Sequence, residues 1–96
     1  MNLGRVIGNV WATRKVETLE GQRMLLVQPL TFDRREAGDP LIALDTVDSG
    51  AGDHVIYVSS TEATIPFKPA LTPTDATIVG VVDRVDLETG SWRIES

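Results

Sequence analysis

A small all-β barrel of five to six short strands, with at most one short helical turn, is the fold this sequence predicts. Three observations carry the prediction. Short runs of apolar, largely β-branched residues recur along the chain. Clusters of Gly, Pro, Asp and Ser separate them, as turns require. No stretch repeats apolar residues with the three-to-four spacing of an amphipathic helix. The 96 residues read as one domain, 1–96, with a core able to bury roughly 60 to 65% of the surface its unfolded chain exposes.

Residues 5–29 set the terms for the rest. Val6, Ile7, Val10, Trp11 and Ala12 form a first β-type run, and Met24 to Val27 form a second that ends at Pro29. The polar segment between them, 13–22, holds Gly21 and is read as the bend of an antiparallel pair. Residues 30–40 are poor in apolar side chains, and R-E-A-G-D-P marks a loop. Strand composition returns at 41–47. D-S-G-A-G-D at 48–53 is a turn in which Gly50 and Gly52 are free to take positive φ, and H-V-I-Y-V-S at 54–59 is the next strand.

Prolines 66, 69 and 73 limit the segment 60–72 to one helical turn followed by extended chain. The longest β-prone run is 76–87, and the mixed parity of its apolar residues near Ile78 to Val82 predicts cover on both faces. A last turn at 88–91 leads to an edge strand, W-R-I, at 92–94. Strands this short and numerous close most simply as an OB-like barrel. Any uncovered strand edges would then be hidden in contacts between subunits.

Composition narrows the function. With no cysteine in the sequence, disulfides are excluded and a zinc site is disfavoured, which leaves self-association as the remaining source of extra stability. A net charge of −5 with nine scattered basic residues argues against a phosphate-backbone partner. No apolar run approaches a bilayer-spanning length, and the first residues lack the pattern of a signal peptide. A cytoplasmic protein without nucleic-acid or membrane partners is expected.

Catalytic chemistry is thin. The single histidine, His54, follows Asp53 at a strand start, where surface or interface roles dominate. Asp45, Asp48 and Asp53 lack the alternating ligands and closing glutamate of a calcium loop, and no helix follows the glycines of 48–53 to favour a phosphate. Asp83 and Asp86 are three apart on a strand and so point to opposite faces, unlike a glycosidase pair. Arg14–Lys15 and Arg34–Arg35 read as solvated charge, and Trp11 and Trp92 as packing or interface residues. No cofactor and no catalytic residue is expected.

At larger scale the residues carry a resemblance. G-N-V-W-A-T-R-K at 8–15, L-E-G at 19–21, V-Q-P-L at 27–30, A-L-D-T-V at 43–47, G-A-G-D-H-V at 50–55 and P-T-D-A-T-I-V-G-V-V-D at 73–83 follow one another as in the vertex-protein family of bacterial microcompartments, the ethanolamine-utilisation EutN and carboxysome CcmL type. The chain departs from that pattern at Asp48–Ser49, where relatives tend to read Gly-Ala, and at 60–63, where they carry a glycine-serine-alanine turn.

The resemblance implies a non-enzymatic β-barrel subunit that forms a pentamer at the corners of a polyhedral shell otherwise tiled by six-fold proteins. It implies contact with those hexameric shell proteins and a place in the shell of a microcompartment. Carried over by position, the family's motifs make Thr13, Lys15, Asp45, Gly50, Ala51, Gly52 and Asp75 candidates for the subunit interface or an axial pore. The alternative weighed beside it is an OB-type binding module for nucleic acid or another polymer.

Overall fold

The protein is described here from a computed structural model covering residues 1–10, 23–59 and 76–94. The bend at 13–22, the segment 60–72, Trp11, Thr13, Lys15 and Asp75 lie outside the described residues. Among the described residues there are seven strands: β1 (Asn2–Val10), β2 (Arg23–Leu30), β3 (Leu41–Asp45), β4 (His54–Ser59), β5 (Ala76–Val81), β6 (Arg84–Leu87) and β7 (Gly90–Arg93). The first five close into a barrel in the order β1-β2-β3-β5-β4, and β6 and β7 form a separate two-stranded sheet. All neighbours are antiparallel except β3 and β5.

The closure is built into the sequence at two bulges. On β1, Val6 pairs with Val27 and Gly8 with Leu26, leaving Ile7 as the extra residue. On β5, Ile78 pairs with Tyr57 and Gly80 with Ile56, leaving Val79 extra. An extra residue bends its strand and increases the local twist, which is what wraps so few strands into a tube.

Val6, Leu25, Val27, Ala43, Val55, Tyr57, Ala76 and Ile78 make one buried cluster, in which β-branched and small residues fill the barrel. Gly4 lies opposite Pro29 on β2 and Val55 on β4. A Cβ there would come within 2.4 Å of Val27 Cγ1 and 3.1 Å of both the Gln28 carbonyl oxygen and Tyr57 Cε1. The missing side chain at Gly4 is therefore space taken first by Val27 Cγ1 and then by the Gln28 carbonyl and the Tyr57 ring. Leu3, Leu44 and Thr77 are fully covered as well, so parts of the wall are buried on both sides.

Several sequence expectations are corrected. The run 76–87 is two strands. Val82 N donates to the His54 carbonyl at 2.8 Å and Ile94 N to the Asp83 carbonyl at 2.8 Å, so the chain leaves the barrel at Val82–Asp83 and starts the hairpin. Cover on both faces holds for Ala76 to Ile78 but not beyond, since Val81 is 46% exposed. The edge strand expected at 92–94 is β7, Gly90–Arg93, which among the described residues pairs only with β6 and so edges the separate hairpin sheet and not the barrel. Its turn is tighter than expected, with Leu87 opposite Gly90 and only Glu88 and Thr89 between them. The barrel also has no unpaired edge for a second subunit to cover, because each of its five strands has two neighbours. That leaves side-chain surfaces and exposed turn backbone for association, and Ile7, Ile42, Val47 and Val81 are the large apolar residues that the barrel and its adjoining turn leave exposed.

Candidate functional site

The turn between β3 and β4 is held by one carboxylate. The Asp45 side chain is fully covered. Its Oδ2 accepts from Arg23 Nη1 at 2.7 Å, and its Oδ1 accepts from Val47 N at 3.1 Å and Ser49 Oγ at 3.0 Å. Arg23 also reaches exposed Asp48 at 2.9 Å. A buried carboxylate with three donors is satisfied, and it fixes the chain from Val47 to Ser49. Asp48 takes φ +58°, a conformation costly for a residue with a Cβ, at the position where the resemblance expects glycine.

From there Gly50 N donates to Asp53 Oδ2 at 2.8 Å and Asp53 N to the Gly50 carbonyl at 3.0 Å. Gly52 carries the positive φ, +91°, whereas Gly50, equally free to take one, does not. Gly52 N then donates to the Val6 carbonyl at 2.8 Å, and Val6 N donates to the Asp53 carbonyl at 2.9 Å. The turn is thus docked beside the β1 bulge, with Ala51, Gly52 and Ile7 exposed and Gly50 half-buried.

Of the residues the sequence singled out, the structure brings Asp45, Gly50, Ala51 and Gly52 into this one feature. Asp45 serves it from beneath, with its carboxylate spent inside the chain. No positive φ or close approach within the chain explains Gly50, around which a Cβ would meet nothing within 4 Å. Asp45 and Asp48 share the Arg23 guanidinium, whereas Asp53 is engaged apart from them by Gly50 N. Among the described residues no group of three His, Asp or Glu side chains is placed to hold a metal ion.

A second feature lies where the 31–40 loop meets the hairpin, and sequence reading passed over it. Trp92 Nε1 donates to the Phe32 carbonyl at 2.7 Å. The indole lies tilted against His54, with ring centroids 5.2 Å apart, and Arg34 Cζ stands 4.7 Å from the ring centroid. Burial holds the His54 pKa below its ordinary value, the charges of Arg5 and Arg34 push the same way, and Asp53 opposes them. Its Nδ1 is buried without a hydrogen-bond partner, which suits a neutral ring. Arg34 and Arg35 looked alike as charges, but among the described residues only Arg35 of the two is neutralised, by Asp33 at 3.1 Å. Nothing in the local sequence marks Arg34 as the one that reaches a tryptophan some sixty residues on.

Three comparisons bear on what these features serve. The family described as ethanolamine utilisation protein EutN/carboxysome matches residues 1–83. The bacterial microcompartment shell vertex protein GrpN of Rhodospirillum rubrum is 37% identical over 86 residues, 90% of this chain and 97% of that one. The carboxysome shell vertex protein CcmL of a Synechocystis strain is 34% identical over 95 residues, 95% of this chain and 91% of that one. Among solved structures, that of GrpN, described as a pentameric microcompartment shell protein, aligns with TM-score 0.76 at 37% identity over 86% of this chain and 94% of the other.

Proposed function

The chain belongs to the EutN/CcmL family, and from that premise we propose that it is a structural vertex protein, five copies of which form a ring that caps the corners of a bacterial microcompartment shell. The observation that carries this is the shared barrel and sequence of a pentameric shell protein. The physics agrees: a ring closes when one patch of each subunit meets a different patch of the next around a rotation axis. Flat six-fold tiling cannot close, and five-fold units at its corners supply the curvature.

In this reading the glycine turn and the β1 bulge form one side of the subunit contact. Ala51 and Gly52 present backbone without bulk, and Ile7 beside them presents apolar surface. Asp45 contributes by holding the turn in place, and Thr13, Lys15 and Asp75 complete the set of interface or pore candidates. Residues 1–96 act as a single domain. The protein resides in the cytoplasm as part of the shell and contacts its hexameric tiles. It has no nucleic-acid or membrane partner and performs no turnover.

Native mass spectrometry of the purified chain tests the proposal. A particle of five times 10.5 kDa is expected, and a monomer or a ring of another number at micromolar concentration overturns it. Gly52→Val should destabilise the turn by about 1 to 2 kcal/mol through φ alone, because a Cβ there meets no neighbour within the chain. A greater loss of ring than of barrel stability would locate the contact at this turn. Unchanged ring stability would remove the turn from it.

A further inference from the structure

We propose that the cleft between the 31–40 loop and the β6–β7 hairpin is a docking site for an acidic polypeptide segment, whose carboxylates are taken by Arg34 and Arg93 beside Trp92. The cleft is open-sided, encloses about 500 Å³ and is lined by Arg34, Ser91, Trp92 and Arg93. Three of these four residues lie past residue 83, the last that the family match reaches.

Charge makes the first case. The chain has 14 acidic residues against nine Lys and Arg, so an arginine has carboxylates to choose from. Arg23 takes two, Asp45 and Asp48, and Arg35 and Arg84 take one each. Among the described residues Arg5, Arg34 and Arg93 take none, and the fields of Arg5 and Arg34 both reach His54, the ring tilted against Trp92. Arg93 stands directly opposite Arg84 in the hairpin, and like charges so placed repel. Asp86 neutralises Arg84 at 3.2 Å, while Arg93 is left for an anion from outside.

Geometry makes the second. Arg34 holds φ +70°, a left-handed conformation normally left to glycine or asparagine. The loop enforces it: Arg34 N donates to the Thr31 carbonyl at 2.9 Å and Thr31 N to the Arg35 carbonyl at 2.7 Å. Its result is a guanidinium laid over the indole face. A stacked guanidinium is held in place while its N–H edge stays free for a bidentate carboxylate. Arginine and tryptophan together are also the residue types in which contact energy between proteins concentrates.

The occupant follows from the same features. Small-molecule sites are mostly apolar and enclose their ligand, whereas this cleft is polar and open. Nucleic acid would need a long basic track and would meet a net charge of −5. A short segment carrying glutamate or aspartate fits two guanidinium forks and an indole edge.

The test is fluorescence polarisation with a labelled Glu-rich peptide and its Gln counterpart, on the full chain at about 50 mM salt, where exposed charges are weakly screened. Ring mass is measured on the same samples. The Glu peptide should bind and the Gln peptide should not. Arg34→Gln and Arg93→Gln should each weaken binding about tenfold, with melting temperature and particle mass unchanged, and Arg35→Gln should change it less than about twofold.

Equal loss in Arg35→Gln, or no binding of the Glu peptide at millimolar concentration, overturns the proposal. Displacement of the peptide by inorganic phosphate at lower concentration than by free Glu peptide overturns it in favour of a small-oxyanion site. A change of particle mass in Arg34→Gln/Arg93→Gln overturns it in favour of a contact between copies. A wild-type particle that is not a pentamer but binds the peptide refutes the vertex reading alone.

Discussion

At Asp45 the difference between a buried and an exposed charge can be read on a single guanidinium. Arg23 touches both Asp45, whose side chain is fully covered, and Asp48, whose side chain is 96% exposed, at 2.7 and 2.9 Å. Removing Asp45 leaves the buried Ser49 hydroxyl and the Val47 amide without their acceptor, so Asp45→Ala should cost about 2 to 4 kcal/mol. Asp48→Ala should cost under about 1 kcal/mol, although the distance is nearly the same. Urea unfolding of the two variants checks the contrast, and equal losses would mean that the Asp45 network is not intact in solution. Gly4 gives the second case. Gly4→Ala puts a Cβ against Val27 Cγ1 and the Gln28 carbonyl, and overpacking of this kind costs about 1 to 3 kcal/mol. Val27→Ala in the same chain should restore part of it, since the closest clash is with a side chain. Little of this was legible beforehand. The turn at 48–53 declared itself through its glycines, but which glycine takes positive φ depends on hydrogen bonds to Val6 across the fold, and the need for Gly4 depends on Val27 and Tyr57, which pairing of β1 with two other strands brings against it.

The elements show where local pattern suffices and where it fails. β2, β3 and β4 are bounded by Pro, Gly and Asp, and composition places them within a few residues of their observed ends. The run 76–87 misled because its Val-rich composition continues through the point where the chain leaves the barrel, and only the pairing of Val82 with His54 reveals the break. The hairpin it enters is marginal by itself, as two strands generally are, and Trp92 ties it to the 31–40 loop through the Phe32 carbonyl. Trp92→Ala should therefore raise hydrogen exchange across β6 and β7 by about tenfold or more while leaving β1 to β5 protected, because the barrel ladder does not pass through it. Uniform loss of protection would show that the hairpin is part of the global folding unit.

The same contact carries a pH dependence through His54. Its native pKa is lowered, chiefly by burial, so the unfolded chain takes up the proton first as pH falls. The contribution of His54 is intact above its ordinary value of 6.5, and it is lost on acidification from there down to the lowered native value, below which it levels off. Protonation would place a third positive charge beside Arg5 and Arg34, with Asp53 alone opposing. Urea midpoints of the wild-type chain should fall between about pH 7 and pH 5, and His54→Gln should flatten that slope. An unchanged slope would assign it to other groups.

For the whole molecule, the all-β class and the OB-like closure were legible because both depend on the number, shortness and spacing of β-prone runs. The motive for association was misjudged for an equally physical reason. Sequence shows that strands exist but not that every barrel strand finds two neighbours, so the apolar residues left over had to be located in space, at Ile7, Ile42, Val47 and Val81. This bears on how salt should act on the ring. Each copy carries a net charge of −5, and a ring brings five such charges together. At about 0.01 M salt the screening length of roughly 30 Å spans neighbouring subunits, whereas at about 1 M it shrinks to roughly 3 Å. If apolar patches and bare turn backbone hold the contact, screening removes repulsion and leaves the attraction in place. The concentration below which the ring dissociates should then fall several-fold between about 0.01 and 0.3 M salt, read by mass photometry or light scattering. A ring that loosens as salt rises would mean that ion pairs dominate the contact, and would move it from the glycine turn and Ile7 to the charged faces of the barrel.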